Sequence, residues 1–119
     1  MAHKMKNSFL IDTVTGKRYN LTELAEWNGG EILIGRIGKD NQIGLGIETD
    51  SETDPNAARK VSRYHATIRY LGRFYIRDHS TNATKVNDST LRGEEGLLAH
   101  RDKILFGTYG PLIYEEDGG

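Results

Sequence analysis

The chain has no cysteine, only two prolines and one tryptophan, and a formal net charge of -1 from 16 basic and 17 acidic residues. Without cysteine there are no disulfides and no thiolate metal sites, and a reducing compartment is permitted. No apolar run approaches the roughly 20 residues of a membrane-spanning helix. No apolar signal core follows the N-terminal charges either. A near-neutral chain has no bulk field to draw a nucleic acid or a membrane, so neither is expected as a partner. Helical periodicity is almost absent. Residues 22–27 could form one turn, too short to be stable alone. What remains is a soluble intracellular domain, expected in the cytoplasm or the nucleus, with one core.

What the chain does have is short strand patterns. Apolar and polar residues alternate, or β-branched residues cluster, over 8–12, 18–21, 31–36, 42–45, 62–71, 74–77, 84–87, 103–106 and 111–114. Turn residues separate them, as at Thr15-Gly16-Lys17, Gly72-Arg73 and Asp88-Ser89-Thr90. About ten short strands at close spacing argue for an all-β sandwich or barrel. Leu91, Leu97 and Leu98 read as scattered apolar anchors, and Trp27 as a core or hairpin-covering residue. Residues 46–60 have no usable period and read as a long exposed loop. Met1 and Met5 lie close together, which suggests added residues ahead of a start at Met5. The expected organisation is an extension over 1–7, a domain over 8–115 and a frayed tail over 116–119.

Charge is distributed unevenly. Residues 57–77 hold Arg59, Lys60, Arg63, Arg69, Arg73 and Arg77 and no acid. Glu48, Asp50, Glu52 and Asp54 precede them without a base. Taken singly, each charge is explained by a solvated strand face. Together, a local positive patch on a neutral chain favours a small, locally charged ligand over a long polyanion.

Three small-polar clusters fall at strand ends, where a rigid scaffold displays its loops. They are Gly35-Arg36, Val61-Ser62-Arg63-Tyr64-His65, and Asp78-His79-Ser80-Thr81-Asn82. A phosphorylated side chain carries about -1.5 to -2 charge and three strong acceptor oxygens. It is matched by an Arg fork, a hydroxyl and small polar donors. Arg36, Ser62, Arg63 and Thr81 supply these, and the amide of Asn82 suits a peptide backbone. Two other chemistries use the same residues. A hydrolase triad could be drawn from Ser62, His65 and Asp78 or Asp102, but no nucleophile elbow accompanies it. A metal site could be drawn from His65, His79 and His100, but their spacing fits no common ligand motif. The simplest role for His65 is structural, and for Asp102 a turn before a strand.

The blocks Gly35-Arg36, Val61-Ser62-Arg63-Tyr64-His65-Ala66, Asp78 to Asn87 and Arg101 to Gly107 resemble, in order, those of the forkhead-associated (FHA) domain family. The resemblance implies a two-sheet β-sandwich of about eleven strands with binding loops at one end. It also implies a non-enzymatic module that binds a phosphothreonine protein or peptide, the product of a Ser/Thr kinase, without cofactor or metal. Carried over residue by residue, Arg36 and Ser62 match phosphate contacts, and Arg63 and Thr81 match supporting ones. Asn82 matches the residue that holds the peptide main chain. Gly35, His65, Ala83 and Asn87 match positions that shape the binding loops. The family usually has Gly where this chain has Ala83, which bears on affinity more than fold. An FHA-fold domain that binds an unphosphorylated surface is the alternative.

Overall fold

The computed structural model describes residues 7–36, 41–45 and 61–117. The expected acidic loop over 46–60 lies outside the described residues, as do residues 1–6. The chain folds as two packed sheets. One has six strands in the order β2-β1-β11-β10-β7-β8, the other five in the order β4-β3-β5-β6-β9. The six-stranded sheet comprises β1 (Ser8–Asp12), β2 (Arg18–Asn20), β7 (Thr84–Val86), β8 (Ser89–Leu91), β10 (Lys103–Phe106) and β11 (Tyr109–Glu116). The five-stranded sheet comprises β3 (Glu31–Arg36), β4 (Ile43–Leu45), β5 (Ala66–Tyr70), β6 (Phe74–Asp78) and β9 (Glu95–Leu97). The strand pairs are antiparallel except β3 with β4, which is parallel.

Strand alternation builds the core. Leu10, Ile104, Phe106, Leu112 and Tyr114 from one sheet meet Ile32, Ile34, Ile68, Phe74 and Ile76 from the other, all buried. Side chains that alternate with these face outward, as the period of two requires. Helix α1 (Leu21–Trp27) buries Leu21 and Ala25 against the core. Its cap is the side chain of Asn20, which accepts from the Glu23 N–H at 3.1 Å. It stops at Asn28, and Gly29 and Gly30 follow at positive φ. No helix among the described residues is long and apolar enough to cross a membrane.

Several sequence expectations change. The strand expected from residue 62 begins at Ala66, because 61–65 leaves the ladder to fold over the end of β3. Ser89 and Thr90, read as a turn, and Leu91 and Leu97, read as anchors, lie in β8 and β9, while Leu98 just beyond β9 is an anchor buried in the core. Both strands are short and irregular in hydrophobic pattern, so pairing rather than periodicity defines them. Glu115 and Glu116, expected to fray, continue β11 and pair with Phe9 and Ser8. Trp27 is not in the core and is 75% exposed, since α1 turns its Leu21 and Ala25 face inward.

The strand directions gather one set of loops. β3 ends, β5 begins, β6 ends, β7 begins and β10 ends at the same end of the sandwich.

Candidate functional site

Gly35 sets the floor of the site. A Cβ placed on it would lie 1.7 Å from the Arg63 carbonyl oxygen, so only glycine lets the 61–65 turn lie across β3. The turn is fixed there from both sides. The Arg36 N–H donates to the Ser62 carbonyl at 2.9 Å, and the His65 N–H donates to the Ile34 carbonyl at 2.9 Å. Arg36 and Ser62, 26 positions apart in sequence, are thus neighbours at one strand end. The Arg36 side chain is exposed and Ser62 is partly buried.

His65 joins this turn to the next loop. Its ring is fully buried and meets Phe106 edge-on at 5.4 Å between centroids. Its Nδ1 accepts from the Ser62 N–H at 3.1 Å. Its Nε2 lies 2.9 Å from the Ala83 carbonyl, which can only accept, so Nε2 carries the proton. Burial holds the imidazole pKa below 6.5, against the upward pull of the Ala83 carbonyl and the charge of Asp78. The ring is therefore neutral and both nitrogens are engaged by backbone. It has no free lone pair with which to deprotonate Ser62 Oγ, and the triad geometry is not formed.

The third loop hangs on Asp78. Its Oδ1 accepts from the Ser80 hydroxyl at 2.5 Å, the Ser80 N–H at 3.2 Å and the Thr84 hydroxyl at 2.8 Å. Its Oδ2 accepts from the Gly93 N–H at 2.9 Å. Burial alone would raise the carboxyl pKa, but these hydrogen bonds outweigh it and hold the group below its usual 3.8. The His79 N–H donates to the His65 carbonyl at 2.8 Å, tying the loop to the Ser62 turn. Thr81 and Asn82 ride exposed at its tip. From sequence, Asp78 opens the third small-polar cluster and is a candidate member of a triad, with no loop-fixing role assigned to it. The signal of its real role is an aspartate two residues before a serine, the spacing of an Asx turn.

Ala83 closes this loop at φ 69°, the left-handed backbone that favours glycine. It keeps the turn that Gly would make, and its carbonyl accepts from Gly107 at 3.0 Å as well as from His65. Asn87 is placed differently from the expectation that it shapes the binding loops. It sits at the opposite end of β7, where its Nδ2 donates to Asp102 Oδ1 at 2.8 Å and its Oδ1 accepts from the Lys103 N–H at 3.0 Å. Its own φ of 54° makes the β7–β8 turn that it supports. Arg63 is exposed beside Ser62. Neither Arg36 nor Arg63 forms an ion pair with another described residue. His100 lies elsewhere, accepting from the Glu116 N–H at 2.9 Å. Among the described residues no cluster of three metal-ligating side chains occurs.

A two-sheet sandwich with Arg36 at the end of β3, and with Ser62, Thr81 and Asn82 on loops tied together by the buried His65, defines a class of small all-β domains. The chain belongs to the FHA family, whose model, described as "FHA domain", matches residues 32–107. Among solved structures it is similar to an FHA domain from a structural and functional study of phosphothreonine-dependent FHA domain interactions. The two are 32% identical with a TM-score of 0.67, covering 92% of this chain and 95% of that one. It is also similar to the FhaA FHA domain complexed with the intracellular domain of Rv3910, at 31% identity and TM-score 0.66, covering 92% and 99%. Mycobacterium tuberculosis EmbR in complex with a low affinity phosphopeptide shares the fold at 24% identity and TM-score 0.71. That match covers 98% of this chain and 26% of the other. No curated protein matches the chain.

Proposed function

We propose that this chain is a phosphothreonine-dependent interaction module rather than an enzyme. The observation that carries the reading is the bond between the Arg36 N–H and the Ser62 carbonyl. It brings a guanidinium-bearing residue and a hydroxyl-bearing residue to one strand end, over a glycine that no larger residue can replace. Arg36 and Ser62 hold the phosphate, with Arg63 and Thr81 in support. Asn82 holds the adjacent peptide backbone, and Gly35, His65 and Ala83 fix the loops. The partner is a protein or peptide carrying a kinase-written phosphothreonine.

Two features support phosphate over a neutral surface. Arg36 and Arg63 are exposed without an ion pair to another described residue, so a dianion meets little internal competition. The buried linkage through His65 also preorganises the loops, which lowers the ordering cost of binding. Fluorescence anisotropy with a phosphothreonine peptide tests the reading. Truncating one partner of a hydrogen-bonded charge pair costs about 2–5 kcal/mol, so Arg36→Ala should weaken binding by roughly 30-fold or more. The phosphoserine twin lacks one methyl and should bind more weakly by about 1–3 kcal/mol. Equal binding of phosphorylated and unphosphorylated peptides, unchanged in Arg36→Ala, would establish the alternative of an unmodified partner.

A further inference from the structure

The two sheets present different outer faces. On the five-stranded sheet the outward residues read Glu31, Arg69, Tyr75 and Leu97 across one rung, and Leu33, Thr67, Arg77 and Glu95 across the next. Acids and bases sit together there. On the six-stranded sheet one outward rung reads Arg18, Ile11, Ile113 and Lys103. Phe9 precedes Ile11 on the same side of β1, and Leu105 follows Lys103 on the same side of β10, opposite Lys85 of β7. These side chains alternate with buried ones and stay partly or fully exposed. We infer that this face is a second protein-docking surface, whose occupant is an acidic amphipathic helix of a partner protein. The inference does not depend on the phosphothreonine reading, since none of these residues is among those that hold the phosphate.

The apolar centre is bracketed by bases without internal partners. Arg18, Lys85 and Lys103 are exposed, and none forms an ion pair with another described residue. The Arg18 Cζ lies 3.9 Å from the centre of the Phe9 ring, which holds the guanidinium against the face. The one carboxylate on these rungs is Glu115, opposite Phe9, and it lies 3.8 Å from Arg101. Asp102, beside Lys103, accepts from the Asn87 side chain and the Ala99 N–H. The face therefore carries uncompensated positive charge on a chain of net charge -1. An apolar centre inside a polar rim is the anatomy of a protein interface. The sign of the rim selects an acidic partner.

The spacing of the bases sets the shape of that partner. Arg18 and Lys103 stand three strand spacings apart, about 14 Å. A helix is about 10–12 Å across with its side chains, so one laid along β1 and β11 fits between the two basic rows. Five-residue β1 is about 17 Å long, or about three helical turns. An apolar stripe on such a helix covers Ile11, Ile113 and Leu105, and acids on both flanks meet Arg18 on one side and Lys103 and Lys85 on the other. A nucleic acid would leave the apolar centre uncovered. A bilayer calls for large side chains that project, and the exposed large apolar residues, Val14, Trp27, Tyr64, Leu71 and Leu97, all lie off these rungs.

The test is fluorescence anisotropy of the 119-residue chain with a labelled synthetic peptide. The peptide is about 15 residues long, enough to form a helix, with leucine along one stripe and glutamate on both flanks. A scrambled peptide of the same composition and a peptide with lysine for every glutamate are the controls. The helical peptide should bind roughly 10-fold or more tightly than either, and more weakly as salt rises. Combining Arg18→Glu, Lys85→Glu and Lys103→Glu turns three attractions into repulsions and should weaken binding by roughly 10-fold or more. Ile113→Ser, with the bases kept, should weaken it as well. Arg36→Ala, at a separate site, should change it by less than about 2-fold. Circular dichroism and urea melts confirm that each variant is folded. No binding of the helical peptide, equal binding of the scrambled one, or unchanged affinity in the folded triple variant would overturn the inference. So would an equal loss in Arg36→Ala, or flotation with phosphatidylserine vesicles in place of peptide binding. Each of these outcomes leaves the phosphothreonine reading to its own test.

Discussion

Mild acid should loosen this domain through one buried ring. His65 Nδ1 accepts from the Ser62 N–H while Nε2–H donates to Ala83, and the ring is 0% exposed. A second proton would go on Nδ1, directly against the Ser62 N–H. Burial is the main cause that holds the folded-state pKa below the unfolded value of 6.5. Between those two values the unfolded chain binds more protons than the folded one. Stability from this group is therefore complete above 6.5 and is lost as pH falls from 6.5 through the folded value. One proton limits the slope to about 1.4 kcal/mol per pH unit. Asp78 also has a lowered pKa, but its contribution is lost only as pH falls below 3.8, a separate window. Urea denaturation of the ligand-free protein between about pH 7.5 and 5 measures the effect. Ligand is omitted because a phosphate monoester titrates near pH 6 itself. His65→Gln, whose amide accepts and donates without titrating, is the comparison. It should cost about 1–3 kcal/mol at neutral pH from imperfect bonding. Its disadvantage should then shrink on acidification as the wild type loses stability. A wild-type-to-variant difference that stays constant across the window would refute the reasoning.

Two substitutions test the loop supports. Gly35→Ala places a methyl 1.7 Å from the Arg63 carbonyl, so the 61–65 turn must lift away. Phosphopeptide affinity should fall below detection by anisotropy, with stability lower by about 2 kcal/mol or more in urea melts. Ala83→Gly relieves about 1–2 kcal/mol of left-handed strain at φ 69°. It also loses a mostly buried methyl and frees the unfolded chain, each worth up to about 1 kcal/mol. Stability should therefore change by less than about 1 kcal/mol and binding should be kept. Ala83→Val, which adds β-branching to the same φ, should lower the urea midpoint clearly.

The sandwich was legible because its central strands alternate cleanly. Ile32 and Ile34, Phe74 and Ile76, and Ile104 and Phe106 each mark a buried face at period two. β8 and β9 were not legible, since Ser89–Leu91 and Glu95–Leu97 bury little and owe their extension to neighbouring strands. The start of β5 was misplaced for a related reason. Ser62–His65 carries a strand-like composition, but Gly35 and the Arg36 bond pull it into a turn. At the site, residue type and order pointed to Arg36, Ser62, Thr81 and Asn82. Local spacing conveys the Asx turn from Asp78 to Ser80 but not the longer contacts that complete the lock. The roles of Asp78 and Asn87 depend on contacts across 15 positions each, to Gly93 and Asp102 respectively.

The sharpest test of the central claim is a nitrogen-15 NMR titration with a phosphothreonine peptide and its dephosphorylated twin. The amides of Arg36, Ser62, Arg63, Thr81 and Asn82 and the Arg36 side-chain Nε–H should shift together with the phosphopeptide, and not with the twin. Shifts confined to another surface, or identical with both peptides, would contradict the claim that these loops clasp a phosphate.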